Sequence, residues 1–328
     1  MEKNFKAFRS NLKEEFDAYL QFRDSQGHDS RKERIVFLTL DKYIQESHIS
    51  TENKSLASSV IEGWLKSLPP SLGVNSRNLY ISHYTQFAMY LRSKGVDAFI
   101  PEKSLPDKTY APYIFTKEEL DRLVVSADKR VDSTFSYVKR NAVCFSILLR
   151  MLIGCGFRIN ELLNLKTSDV DMLRQVITIR NAKGNKDRIV PVHETLAEVL
   201  RAYSASGIPQ PEGYFLATGT GNRFSYSWAR DNFNKCLTEI GIIKPDLNPH
   251  ARNICIHCIR HSYAVTAFRK LELEGKDLYS EAPILSIYMG HKNIYGTETY
   301  LHATAVTNAE ILQKMSDYNV GIFPEVDL

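Results

Sequence analysis

Cys255-Ile-His-Cys-Ile-Arg-His261 and, soon after it, Met289-Gly-His-Lys-Asn-Ile-Tyr-Gly-Thr-Glu-Thr-Tyr300 decide how this chain of 328 residues is read. His257, Arg260, His261 and His291 can hold or protonate an anionic oxygen, and the Tyr300 hydroxyl can be a nucleophile. A tyrosine hydroxyl titrates near about 10, so it attacks phosphorus only where cations favour the phenolate and a base takes its proton. The non-bridging oxygens of the phosphate must be neutralised too, by a metal or by paired arginines. Phosphoryl chemistry is therefore suggested, and further cations are expected upstream.

They appear in Gly154-Cys-Gly-Phe-Arg-Ile-Asn-Glu-Leu162. The apolar run from Val143 to Ile153 predicts a buried helix, Gly154 and Gly156 break it, and Arg158 and Glu161 open the next helix. Glu161 lies one helical turn beyond Arg158 and can hold its guanidinium. Val176 to Arg180 and Arg188 to Val192 read as two strands joined by Asn-Ala-Lys-Gly-Asn-Lys-Asp, an antiparallel hairpin with Lys183 and Lys186 on its tip.

In chain order these elements are Gly-Phe-Arg158-x-x-Glu161-Leu, the Lys183-Gly-Asn-Lys hairpin, His257-x-x-Arg260-His261, Gly290-His291, and Tyr300 nine residues later. The series resembles the tyrosine recombinase (phage integrase) family over roughly residues 110 to 310. Its specificity lies in order and spacing together, since Arg-x-x-Glu alone is a weak signal. The resemblance implies that Tyr300 attacks the scissile phosphate to form a 3′-phosphotyrosyl bond. Arg158, Arg260 and His291 would hold the non-bridging oxygens, Lys183 would protonate the leaving 5′-oxygen, and His257 would assist proton transfer at the nucleophile. Glu161 and His261 are supporting residues, while Lys186 and Arg188 are expected at the DNA. Because the covalent bond conserves the energy of the diester, no cofactor or metal is implied. One departure, Cys-Ile between His257 and Arg260 where a polar residue and Leu are more usual, touches neither chemical position.

The expected fold class is α+β, mainly α with a small antiparallel β-sheet. Length suggests two domains. Residues 1–108 form the first, with apolar residues at helical spacing in four segments: Phe5, Phe8, Leu12, Phe16 and Leu20; Ile35, Leu38 and Tyr43; Leu56, Val60, Ile61, Trp64 and Leu65 before Pro69-Pro70; Leu79, Phe87, Tyr90 and Leu91. By resemblance this is a core-binding domain that closes over DNA from the face opposite the catalytic domain, residues 109–328. A linker with Pro101, Pro106 and Pro112 joins them into a clamp. The segment ahead of the first domain is too short for the arm-site-binding domain of some phage integrases.

The catalytic domain opens on a capping box, Thr116-Lys-Glu-Glu119. A helix is expected at Leu196, Val199, Leu200 and Tyr203, a short strand at Gly213-Tyr-Phe-Leu-Ala, a turn at Thr218-Gly-Thr-Gly-Asn and another helix from Ser225 to Ile240. The apolar, weakly acidic tail from Ala303 to Leu328 is expected to dock on a neighbouring protomer, giving a homo-tetramer on two duplexes of DNA.

Net charge is only 42 − 38 = +4, so a DNA-binding face must come from local clustering at Lys129-Arg130, at Lys139-Arg140 and along Arg174 to Arg188. No apolar run approaches the ~18 residues of a membrane span, and the N-terminus has no apolar signal core, which predicts a cytoplasmic, nucleoid-associated protein. The five cysteines are an odd number and no disulfide framework. Cys255-x-x-Cys258 beside His257 and His261 would suit zinc, but no second ligand pair stands at zinc-finger spacing, so idle thiols are expected. Three other readings stay open: a type IB topoisomerase, a DNA-binding relative that does not cut, and a zinc-dependent hydrolase using the Cys/His cluster.

Overall fold

The computed structural model describes residues 7–49, 55–104, 112–132, 136–180, 187–242 and 254–290. The chain divides into two compact units, Met1–Tyr110 and Ala111–Leu328. The fold class is the expected one, mostly helical with one small antiparallel sheet.

Among its described residues the N-terminal unit holds four helices, α1 (Lys13–Ser25), α2 (Arg31–Glu46), α3 (Ser58–Ser67) and α4 (Val74–Ser93). Their apolar faces meet in an aromatic core in which Phe16 packs on Phe37 at 5.2 Å and on Phe87 at 5.0 Å between ring centroids. Trp64 is fully buried, and its indole N–H donates to Thr39 Oγ1 at 3.1 Å, so the ring adds apolar area without stranding a donor. Helix α3 stops because Pro69 biases Leu68 to extended backbone; Arg77 then donates to the Leu65 carbonyl at 2.7 Å, satisfying a helix-end acceptor. The fully buried face of α2 is Val36, Phe37, Leu40 and Ile44; of the expected residues Leu38 and Tyr43 pack partly buried against the same core, while Ile35 is half exposed. Leu79 on α4 is also half exposed, whereas Phe87 and Leu91 are buried as expected.

The C-terminal unit opens with the capping box. Thr116 N–H donates to Glu119 Oε2 at 2.9 Å and Glu119 N–H to Thr116 Oγ1 at 3.2 Å, ahead of α5 (Lys117–Asp132). Helix α6 (Ser136–Cys155) carries the centre of the core, with Leu148, Leu149, Met151 and Leu152 almost wholly buried. Gly154 remains inside α6, so the break falls at Gly156 alone, where φ is +62°. A side chain at Gly156 would also collide with the Tyr263 ring, 2.5 Å from an added Cβ.

After α7 (Ile159–Asn164), a 3-10 turn at Thr167–Asp169 leads into β1 (Val170–Asp171), β2 (Val176–Ile179) and β3 (Arg188–Pro191), antiparallel in that order. Val176 pairs with Pro191 and Ile179 with Arg188, so the two expected strands do pair antiparallel. Helices α8 (Glu194–Ala205), α9 (Tyr226–Glu239), α10 (His257–Leu273) and α11 (Leu278–Met289) follow. The strand expected from Gly213 to Ala217 is absent. Phe215 and Leu216 are both buried and the chain touches the 165–167 connection only long enough for one bridge, Lys166 to Tyr214, before the turn closed by Thr218 N–H on the Asn222 carbonyl. No helix among the described residues is long and apolar enough to cross a membrane.

Candidate active site

Arg158 stands at the N-cap of α7 in extended backbone, where its carbonyl accepts the first bonds of the helix but its own N–H has no helical acceptor. Glu161, three residues on, reaches back: its Oε2 accepts the Arg158 N–H at 2.9 Å and its Oε1 accepts from Arg158 Nη1 at 2.9 Å. One carboxylate thus fixes both the main chain and the guanidinium of the same residue. Arg158 Nη2 donates to the Gly290 carbonyl at 2.7 Å.

Arg260, one turn into α10, is 1% exposed and among the largest fully buried side chains. A buried guanidinium needs acceptors on every side, and it finds the Gly156 carbonyl at 2.8 Å from Nη1 and the Met289 carbonyl at Nη2. Arg158 and Arg260 therefore lean on consecutive carbonyls, Gly290 and Met289, at the end of α11. Gly290 closes that helix in the left-handed region, φ +67°, and a Cβ there would lie 2.8 Å from Arg188 Nη1 and 3.3 Å from Arg158 Nη1. Glycine is required on both counts.

His257 begins α10 with its ring edge-on to His261, centroids 4.8 Å apart. Burial first, then the positive charges of His261, Arg260 and Arg158, push the His257 imidazole down to about 4. Burial and Arg260 do the same to His261. Both rings are therefore neutral at pH 7, and a neutral imidazole keeps one acceptor nitrogen.

Arg188 departs from expectation. The sequence reading set it at the DNA, yet its side chain is 10% exposed and turned inward. Nη1 and Nη2 donate to Glu161 Oε1 and Oε2 at 2.9 and 2.8 Å, and Nε donates to the Tyr288 carbonyl at 2.9 Å. Burial pushes the Glu161 carboxyl up, but hydrogen bonds and charge from Arg188, followed by those from Arg158, outweigh it and hold the group below the usual carboxylate range. Strand alternation was the signal available: Arg188 shares a side with buried Val190, while Ile189 is two-thirds exposed.

A cleft of about 640 Å³ opens beside these groups, lined by Arg158, Asn160, Asn164, Lys166, Tyr214 and His257. Its far wall includes Arg180, whose Nε holds Asp169 at 2.6 Å. Two of the basic runs read as surface are partly structural, since Arg130 pairs with Glu239 and Arg140 donates to the Ile208 carbonyl at 2.7 Å. Cys255 and Cys258 bring their sulfurs to 3.8 Å, and the mutual hydrogen bond, then burial, pushes the Cys255 thiol up. No group of three or more His, Cys, Asp or Glu side chains among the described residues is arranged to hold a metal ion.

The structure thus brings together Arg158, Glu161, His257, Arg260, His261 and Arg188. Lys183, Lys186, His291 and Tyr300 lie outside the described residues, as does the tail from Ala303. The sequence model of the phage integrase family matches residues 114–306, which is more than half of the chain. The chain belongs to the phage integrase family. It is a tyrosine recombinase, an enzyme of DNA strand transfer.

Among relatives of this recombinase, the "Putative integrase/recombinase y4rB" of Sinorhizobium fredii is 28% identical over 239 residues, 70% of this chain and 74% of that one. The "Tyrosine recombinase XerA" of Pyrococcus horikoshii is 25% identical over 307 residues, 93% of each chain. Of solved structures, XerH bound to its palindromic difH substrate in a post-cleavage complex superposes with a TM-score of 0.63 at 16% identity, over 85% of this chain and 77% of that one. A lambda integrase dimer bound to a COC′ core site gives 0.63 at 14% identity, over 88% and 94%. These likenesses establish a shared fold.

Proposed function

We propose that this recombinase cuts and rejoins duplex DNA at specific sites through a 3′-phosphotyrosyl bond to Tyr300. The Tyr300 oxygen attacks phosphorus, the 5′-oxygen leaves with a proton from Lys183, and neutral His257 helps take up the nucleophile's proton. Arg158, Arg260 and His291 hold the non-bridging oxygens as charge builds. The observation that carries this reading is that Arg158 and Arg260, remote in sequence, rest on the Gly290 and Met289 carbonyls immediately before His291. Oriented donors that need no rearrangement as charge develops are the largest source of catalysis in such sites.

The N-terminal unit serves as a core-binding domain, residues 1–108, that closes over DNA opposite the catalytic domain, residues 109–328. The tail from Ala303 docks on a neighbouring protomer, and four protomers hold two duplexes. The setting is integration, excision or transposition of a mobile element, or Xer-like resolution, inside the cell. Relatives named integrase/recombinase and XerA support that range, and DNA-bound neighbours of the same fold support DNA as the partner.

The test is a nicked suicide substrate drawn from DNA flanking the protein's own locus, incubated with protein in EDTA and scored for a covalent protein–DNA band. Wild type should give the band, and Tyr300→Phe should bind DNA without giving it. A band of normal yield from Tyr300→Phe would move the nucleophile elsewhere; a band that appears only with added metal would replace strand transfer with metal-dependent hydrolysis.

A further inference from the structure

Glu161 presents a problem of charge. It orients Arg158 through two hydrogen bonds, but a carboxylate that close also cancels the positive charge Arg158 would offer a phosphate. We propose that Arg188 is a positioning residue that resolves this: its guanidinium shares Glu161, so the trio keeps a net charge of +1 and Arg158 stays both oriented and cationic. The inference rests on the reading of Arg158 as a group that holds the scissile phosphate.

The geometry is specific to this role. Arg188 meets Glu161 fork to fork, both carboxylate oxygens accepting at 2.9 and 2.8 Å, which is the bidentate arrangement a lysine cannot copy. Its Nε holds the Tyr288 carbonyl at 2.9 Å, two residues before the Gly290 carbonyl that anchors Arg158 Nη2. Three Arg188 donors point inward from a side chain 10% exposed, and all three are taken up by Glu161 and the Tyr288 carbonyl. The carboxylate is 7% exposed, where water screens poorly and the second cation matters most. A merely packing role would be met by any long side chain; the fork and the shared carboxylate call for charge.

The experiment compares Arg188→Met, which keeps the stem and loses the charge, with wild type at saturating protein on a suicide substrate. Cleavage should fall on the order of 10²-fold, while DNA affinity changes by less than about threefold because the group faces inward. Arg188→Lys restores charge without the fork and should recover on the order of tenfold of that loss. The decisive readout uses a substrate whose scissile phosphate is a methylphosphonate, which carries no charge to neutralise. There the defect of Arg188→Met should shrink to within about threefold.

An equal defect on both substrates, an affinity loss that matches the cleavage loss, or near-normal cleavage of the diester would overturn the proposal. If Arg188→Met does not fold, Arg188→Lys carries the test. With charge retained but the fork lost, it should cleave the diester about tenfold more slowly than wild type and the methylphosphonate within about threefold, and an equal defect on both substrates overturns the role. Wild type giving no adduct, or Tyr300→Phe giving one, would instead sink the reading of the site on which this rests.

Discussion

Gly290→Ala is the sharpest probe of how the site is held. Gly290 has φ +67°, and an added Cβ would lie 2.8 Å from Arg188 Nη1, 3.1 Å from its Cζ and 3.3 Å from Arg158 Nη1. Placing an L-residue in that backbone costs about 1–2 kcal/mol. The two guanidinium groups are not loose ends that swing aside, because Arg188 has three hydrogen-bond contacts and Arg158 has two side-chain contacts of its own. Giving up one charge-assisted bond adds about 1.5–3 kcal/mol. The sum is about 2.5–5 kcal/mol of stability, and a misplaced oxyanion-holding group should slow cleavage on the order of 10²-fold. Gly275 is the control, with φ +72° and nothing within 4 Å of an added Cβ. Gly275→Ala should lower the melting temperature by the backbone cost alone and cleave at the wild-type rate. The assay is single-turnover covalent-complex formation on a suicide substrate, with melts of both variants alongside. Cleavage by Gly290→Ala within about threefold of wild type would refute the reasoning, because the guanidinium positions would then not matter.

Arg158→Ala should retain DNA binding and slow covalent-complex formation on the order of 10²-fold or more, and a near-normal rate would remove it from the site. His257 should titrate at about 4 in the free protein when followed by NMR of its ring protons, and a midpoint at 6.5 would contradict its burial as a neutral base. Because that folded value lies below the unfolded 6.5, the stability gained by burying His257 neutral is present above 6.5 and is lost as pH falls toward 4. Glu161 has its folded pKa below the ordinary 4.5, so the melting gap between wild type and Glu161→Gln should be constant above that value and close as pH falls below it. A gap that persists in acid would mean Glu161 acts through packing. DNA affinity should fall steeply with salt, with a log–log slope of roughly −0.9 per neutralised phosphate, and a flat response would count against a clamp of many phosphate contacts.

The sequence made legible whatever depends on short-range periodicity and on residue chemistry. The capping box at Thr116 and the turn at Thr218 were readable because their hydrogen bonds close within a few residues, and the two hairpin strands because β-branched runs flank a short polar segment. The link from Glu161 to Arg158 was readable for the same reason, being one helical turn long. What escaped depends on faces and distant partners. The buried side of α2 was only partly legible because Ile35 to Leu38 is a continuous apolar run, in which helical spacing alone does not say that Val36 and Phe37 turn fully inward and Ile35 outward. The inward aim of Arg188 was not legible, because a cation beside a lysine-rich hairpin looks like a surface group until its acceptors, a carboxylate and a carbonyl from elsewhere in the chain, are known. Glycine breaks were located only to within two residues: Gly154 tolerates helix, and Gly156 takes the left-handed turn.

Carbonyls that brace Arg158, Arg260 and Arg188 come from distant segments. Arg158 is 132 residues from Gly290, Arg260 is 104 from Gly156, and Arg188 is 100 from Tyr288. Such contacts form late in folding, after the entropy of closing long loops has been overcome. A guanidinium is therefore aimed only after segments 100 residues or more apart have met. For a recombinase, this order of assembly ties the aim of its site arginines to the completed fold of the C-terminal unit.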